Sequence, residues 1–204
     1  NTRAVASALE SAGADVEEIE LPWTAERIFE TAFTHFGHLL APAMRAATRS
    51  HEDTLADYTL RFMADAEAVA GRRSFYDGLA MEAQIQAELA TAMDGFDVLL
   101  APTSAVAGLE ADASYLDGIT IGADGVGRES RDDGVRLDHY WQAHMTMPFN
   151  ICNRVPIVNV PSGMADCGIP TGVQVVGHPY DDVRTFDVAA AIEVLNPWPG
   201  LAPL

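Results

Sequence analysis

The sequence predicts an α/β fold with a sheet covered by helices, and three observations carry that prediction. Long stretches with apolar residues three and four apart read as helices, notably 24–49 and 75–93. Compact apolar runs centred on Leu99, Val158 and Val175 read as strands. Those runs lack alternation, the pattern of strands buried on both faces, and they are interspersed with the helices.

In chain order, Thr2 to Leu9 reads as an amphipathic helix with Val5 and Leu9 one turn apart, stopped by Gly13. Asp15 to Leu21 reads as a short strand closed by Pro22. Ile28, Phe29, Phe33, Phe36 and Leu40 form one side of a helix over Thr24 to Arg49, which Pro42 breaks or kinks. A shorter helix is expected from Leu55 to Val69. Ser74 with Asp77 makes a capping-box-like start to a helix from Phe75 to about Met93, ended near Gly95.

The strand Phe96–Ala101 follows, closed by Pro102. Residues 103–137 are rich in Gly, Asp and Ser and read as a long variable loop with at most a short hairpin. A helix is expected around Asp138 to Met145, strands over Pro156–Val160 and Gly172–Val176, and a last helix from about Asp182 to Val194. Gly163 and Gly168 lie in the turn-rich link between those strands. Asn196 to Leu204 reads as a Pro- and Gly-rich tail. The chain reads as one domain, residues 1–204.

Composition removes classes of chemistry. Thirty acidic residues face twelve basic ones, a net charge of −18, and all twelve are Arg. Without Lys there is no phosphate loop of the Walker type, no Schiff base and no lysine base. Nucleic acid and anionic membranes are poor partners for so acidic a chain. With 49% hydrophobic and 21% charged residues it is not a disordered sequence. No apolar run approaches the ~20 residues of a membrane span. Cys152 and Cys167 make no disulfide framework, so a reducing cytoplasm is expected.

Individual constellations point to structure more than to chemistry. Ser162-Gly163 follows a strand, but no glycine stands two before the serine, so a turn serine is favoured over a nucleophile elbow. Gly118, Gly122, Gly125 and Gly127 have the wrong spacing for a dinucleotide fingerprint. His35 with His38, and His139 with His144, lack the accompanying pattern of a metal site, so packing roles are favoured. Cys152 and Cys167 read as small apolar groups, and Arg72-Arg73 as a solvated helix approach. Asp15, Glu17, Glu18, Glu20 and the pair Asp132-Asp133 read as solvated carboxylates.

One ordered series of motifs is more specific. It runs Phe96-Asp97-Val98-Leu99-Leu100-Ala101-Pro102-Thr103, then Thr146-Met147-Pro148-Phe149-Asn150, then Pro156-Ile157-Val158-Asn159-Val160-Pro161-Ser162-Gly163. It ends in Gly168-Ile169-Pro170-Thr171-Gly172-Val173-Gln174-Val175-Val176-Gly177. With Leu9 to Val16 and Leu21-Pro22, this resembles the carboxy-terminal half of amidase-signature hydrolases. The resemblance departs in two places: Asn150 to Pro156 is six steps where five are usual, with Arg154 where glycine is common, and the loop after Thr103 matches nothing well, as expected where substrates differ.

The resemblance implies a partial amidase-signature fold with a mixed sheet, and hydrolysis of amide C–N bonds through a Ser-Ser-Lys arrangement. That arrangement has no place here, because the chain has no Lys, no Ser-Ser and no Gly-Gly pair. The chain opens on Asn1 inside a helix, so the expectation is a carboxy-terminal portion whose catalytic residues lie in a missing amino-terminal half. No cofactor and no metal are implied. The implied partner is a small-molecule amide, with self-association expected of the isolated portion. Pocket candidates are Thr103, Ser104, Thr146 and Phe149; Asn150, Pro156, Pro161, Gly163, Gly168, Gly172 and Gln174 are implied to be structural, Asn150 by tying backbone together. The alternatives are a non-catalytic amidase-like scaffold and, disfavoured by the acidic surface, an aminoacyl-tRNA amidotransferase component of the A type.

Overall fold

The computed structural model describes residues 1–129 and 133–197. The tail expected over 196–204 therefore lies, beyond residue 197, outside the described residues, as does Asp132. The first helix is α1 (Thr2–Ser11). No strand follows it: residues 14–21 form no ladder, because none of the described residues offers them a paired edge. Of this segment, Leu21 packs against the core and Glu18 pairs with Arg3 at 2.8 Å in solvent.

The helix expected over 24–49 is continuous but not uniform. α2 (Ala25–His35) starts at Thr24, whose hydroxyl accepts the Arg27 N–H at 3.2 Å. A π turn, Phe36–Leu40, then leads into α3 (Ala41–Thr48). Pro42 has no N–H and its ring crowds the preceding turn. The chain answers by widening that turn: the Ala41 N–H reaches back five residues to the Phe36 carbonyl. Gly37 sits in this turn because a Cβ there would collide with the Ala66 carbonyl and the Ala70 methyl of the next helix. That helix, α4 (Asp57–Ala70), starts two residues after Leu55 because Glu52–Thr54 form a 3₁₀ turn before it.

α5 (Phe75–Ala92) opens on the predicted capping box, Ser74 and Asp77 satisfying each other's backbone N–H groups. These bonds hold the Asp77 carboxyl below the usual range. Arg27 clamps Glu88 through two hydrogen bonds of 2.8 and 3.0 Å, and the Trp23 indole donates to the same carboxylate at 3.0 Å. This joins the start of α2 to α5. Arg73 is not merely solvated; it bridges to Glu30 at 2.8 Å.

β1 (Val98–Pro102) follows. The next stretch, read as a loop, instead carries four short strands: β2 (Gly108–Leu109), β3 (Ile119–Ile121), β4 (Val126–Arg128) and β5 (Val135–Leu137). They pair in the order β2-β4-β3-β5, with β2 and β4 parallel and the other pairs antiparallel. Tyr115 and Ile119 give this subsheet its own small core with Ala143. Runs of two or three residues are too short for periodicity to show, which is why composition alone reads as loop.

A 3₁₀ turn, Tyr140–Ala143, stands in place of the helix expected there, and α6 (Met147–Cys152) follows. β6 (Ile157–Met164), β7 (Pro170–Gly177) and α7 (Asp182–Leu195) complete the chain. β7 is the central strand of an antiparallel sheet ordered β1-β7-β6. Its Val173, Val175 and Val176 are fully buried, and β-branched residues suit such a strand. β1 and β6 are edges and only half-buried, so burial on both faces holds for β7 alone. Ser162 lies in β6 at a register shift, not in a turn, and its hydroxyl meets that of Thr171 at 2.9 Å.

The sheet divides two cores. Val5 of α1 and Ala189 and Ile192 of α7 cover one face with Val160, Val173 and Val175. Phe33, Met63, Ile85, Leu89, Phe149 and Cys152 build the other core with Ala101 and Val176. Each such buried Val, Ile or Phe contributes about 1.5–3 kcal/mol by transfer from water. The outer side of α7 is different. Val183, Phe186 and Val194 are 74%, 61% and 80% exposed, and neighbouring Tyr180 is 98% exposed. Exposed apolar groups at helical spacing favour association. The 204-residue chain is accordingly expected to self-associate at tens of micromolar, and Phe186→Glu with Val183→Asp to shift it toward monomer. Light scattering checks this; a clean wild-type monomer overturns it.

Candidate functional site

The site is organised by one side chain, Gln174. It is 1% exposed in the middle of β7, and its amide donates to the Pro102 carbonyl at 2.8 Å and to the Met145 carbonyl at 3.1 Å. Gly172 is two residues away, on the same side of the strand. Its missing side chain leaves room for Thr103, whose side-chain atoms lie 3.1–3.2 Å from where a Cβ would stand. The Thr103 N–H and hydroxyl both donate to the Gly172 carbonyl, at 3.3 and 3.2 Å. The Gly-x-Gln spacing thus fixes how the chain leaves β1.

The leaving chain is next stitched to the 140–146 segment. Ser104 bridges His144, and the Ala105 N–H donates to the Ala143 carbonyl at 2.9 Å. Between these stretches of chain lies a cavity of about 360 Å³. Tyr58 of α4 lines one side, Ser104, Val106 and Leu109 another. Tyr115 and Ile119 come from the subsheet, and Tyr140, Ala143 and His144 from the 3₁₀ turn and its end.

Aromatic packing holds these walls. Tyr58 meets Tyr140 edge to face at 5.4 Å, and Tyr140 stacks on His139 at 4.5 Å. His139 in turn contacts Phe29 and Phe33 of the core, and Trp141 packs among Phe33, Phe36 and Phe62. The Tyr58 hydroxyl accepts the Tyr115 N–H at 2.7 Å. The Tyr115 hydroxyl is itself held at 2.8 Å from the Glu110 carbonyl, and burial pushes its pKa up. Burial also raises Tyr140 and lowers His144.

His139 has both ring nitrogens engaged. The Trp141 N–H donates to Nδ1 at 3.1 Å, so the neutral ring carries its proton on Nε2, which donates to Asp65 at 3.0 Å. Burial lowers its pKa, with Asp65 opposing. A histidine so committed is a fastener and leaves no nitrogen to serve Ser104 as base. Among the described residues no group of three His, Cys, Asp or Glu is placed to hold a metal. A second cavity of about 740 Å³ lies between α5 and the β7–α7 link, beside Cys152. That thiol is pushed up to about 12 by burial, which makes it inert as a nucleophile.

The pocket candidates separate in space. Ser104 lines the cavity; Thr103 lies behind it against Gly172. Thr146 is the residue before α6 and its side chain makes no cap bond. Phe149 is 3% exposed in the main core, edge to face with Trp23 at 5.8 Å, and lines neither cavity. Asn150 is exposed on α6, where its backbone N–H donates to the Thr146 carbonyl at 3.0 Å. The Pro156 carbonyl accepts the Gly177 N–H, and Pro161 marks the β6 register shift. Gly163 and Gly168 take the left-handed φ values of +118° and +79° that the hairpin needs. Sequence reading missed Tyr58 and Tyr115: they are 57 residues apart and meet only through tertiary packing.

Comparison with known proteins gives one consistent result. The Amidase family model matches residues 1–186. The chain is 26% identical to the A-type component of the glutamyl-tRNA(Gln) amidotransferase of Granulibacter bethesdensis, covering 92% of this chain and 38% of that protein. The counterpart from Exiguobacterium sibiricum is 25% identical, with coverages of 95% and 41%. Among solved structures, a bacterial aryl acylamidase of the amidase signature family superposes with a TM-score of 0.70 at 20% identity, over 97% of this chain and 40% of that one. The same amidotransferase component from Thermotoga maritima gives 0.58 at 23%, over 97% and 38%. The chain spans about 38–41% of the length of these relatives.

Two outcomes are expected. Gln174→Leu removes the amide donor from two carbonyls, at about 1–3 kcal/mol for each left unsatisfied. Its urea midpoint should fall accordingly, and an unchanged midpoint contradicts the role given to Gln174. The second concerns pH. The folded-state pKa values of His139 and His144 are depressed, so below about 6.5 the unfolded chain takes up protons the folded one resists. Stability should drop from pH 7 to pH 5.5, and drop less in a His139→Gln/His144→Gln variant. Denaturant midpoints at the two pH values check the slope.

Proposed function

We propose, because this chain belongs to the Amidase family whose model spans residues 1–186, that it forms the sheet and a substrate-pocket wall of an enzyme hydrolysing amide C–N bonds. Members of the amidase-signature family are amide hydrolases, and the observation that carries the reading is the family match itself. The nucleophilic serine, the relaying serine and the lysine base belong, on this reading, to a part of the enzyme outside these 204 residues. The lack of any Lys here supports that division. Attack on the amide carbonyl places negative charge on its oxygen, which backbone N–H groups near the serines would hold.

This chain's part is to bind and orient. Gln174 and Gly172 set the exit of β1, and Ser104 with the aromatic cavity borders the space where a small amide lies. No metal or cofactor enters the proposed reaction. Two free cysteines, one buried and one exposed, support a reducing compartment. No helix among the described residues is long and apolar enough to cross a membrane.

A second reading, an amidotransferase component of the A type, is favoured by the names of the relatives. Such a component works beside tRNA, and a chain of net charge −18 without Lys is a poor surface for that. Assays on a panel of simple amides separate the cases. The 204-residue chain alone is expected to be inactive, the protein extended at its amino terminus active, and the extended protein inactive when its catalytic lysine is replaced by Ala. Hydrolysis by the chain alone overturns the division of labour. Glutamine-dependent amidation of glutamyl-tRNA by the extended protein selects the second reading.

A further inference from the structure

The cavity beside Ser104 says more about the substrate than family membership does. Its walls hold no Asp, Glu or Arg. The arginines of the elements around it are already engaged. Arg61 pairs with Asp65 at 2.7 Å, and Arg128 pairs with Asp124 at 2.6 Å. Arg136 donates to the Asp117 and Glu129 carbonyls and to Thr120. No Arg lines the cavity, so a carboxylate entering it meets no guanidinium in its walls. His144 is held toward its neutral form by burial, so it does not supply a cation.

What the cavity offers is aromatic surface and neutral hydrogen bonding. The edge-to-face pair Tyr58–Tyr140 and the ring of Tyr115 border it, and rings prefer to be met by a further ring at centroid distances of roughly 4.5–7 Å. The Tyr140 hydroxyl is buried and has no hydrogen-bond partner among the described residues. Burial raises the pKa of that hydroxyl, and the Trp141 indole beside it opposes burial and lowers it. Buried hydroxyls are ordinarily paired. The Ser104 Oγ accepts the Val106 N–H at 3.1 Å and keeps its own proton to give. The volume of about 360 Å³ is at the lower end of small-molecule pockets, which run from ~300 to ~1,000 Å³. It suits one ring with a short substituent.

We infer that this cavity receives the ring of an uncharged aromatic amide, with the Ser104 hydroxyl available to a neutral acceptor on it. The inference rests on the hydrolase reading for the reaction, but not for the binding. It excludes an anionic acyl group such as a free glutamyl side chain from this cavity.

Benzamide and benzoate test it, being matched in shape and differing in charge. Titration calorimetry on the 204-residue chain should show benzamide binding and benzoate binding at least tenfold weaker. Val106→Trp, which fills the cavity, should weaken benzamide at least tenfold. Equal binding of the two probes overturns the inference. So does an unchanged benzamide affinity in Val106→Trp when circular dichroism shows native helix content.

The amino-terminally extended protein separates this inference from the reading beneath it. There, Val106→Trp should raise KM for aromatic amides by a larger factor than that for acetamide. Amide hydrolysis indifferent to Val106→Trp sinks the cavity assignment and leaves the hydrolase standing. Benzamide binding without hydrolysis of any amide sinks the hydrolase and leaves the cavity assignment standing.

Discussion

Much of the molecule's geometry depends on a single buried amide. Gln174 stands in a strand whose neighbours are valines, where an unpaired polar group would be costly. It is tolerated because both of its N–H groups reach backbone carbonyls, Pro102 on one side and Met145 on the other. Those carbonyls belong to different parts of the fold. One ends β1, and the other leads into α6. A valine at this place would pack equally well and hold neither. The buried polar group therefore trades no packing for a fixed junction, and the junction is what brings Ser104 against His144.

The same junction explains what is legible in the sequence. Val173, Gln174, Val175 and Val176 are contiguous, so a strand with a polar interruption is visible there, and so is the capping box of α5. Long helices and long strands carry their own periodicity. The cavity does not. Tyr58, Tyr115 and Tyr140 come from three unrelated stretches, and the subsheet that presents Tyr115 is made of strands of two and three residues. Such strands exist only because tertiary contacts, here the Tyr115 and Ile119 core, hold them. Phe149 shows that a place in a motif does not fix where a side chain points. Its motif neighbours suggest a place near the site, but on a six-residue helix the side chain that follows Pro148 turns into the core against Trp23.

Residues 14–21 and Pro42 mark two further limits. A strand needs a partner as well as a pattern, and the acidic segment after α1 has none among the described residues. Proline forbids one hydrogen bond, but it does not dictate how the chain responds. Here the response is a wider turn, made possible because Gly37 lets that turn press against α4. Neither outcome is encoded locally; each depends on what lies alongside.

Charge is also better understood from its arrangement than from its total. An excess of eighteen negative charges, taken as a sum, describes a surface that repels anions everywhere. Around the cavity, the effect is more specific. The acidic residues there do not line the walls; they occupy the arginines, Asp65 taking Arg61 and Asp124 taking Arg128. Each such pair contributes little to stability at an exposed position. What it does is remove a guanidinium that could otherwise swing toward a bound carboxylate. A wall of tyrosines that contains no cation discriminates by withholding compensation: an anion entering it gives up its hydration and receives no partner in return. A neutral aromatic amide loses far less on entry and gains ring contacts. The selectivity thus comes from the charge that the wall leaves out.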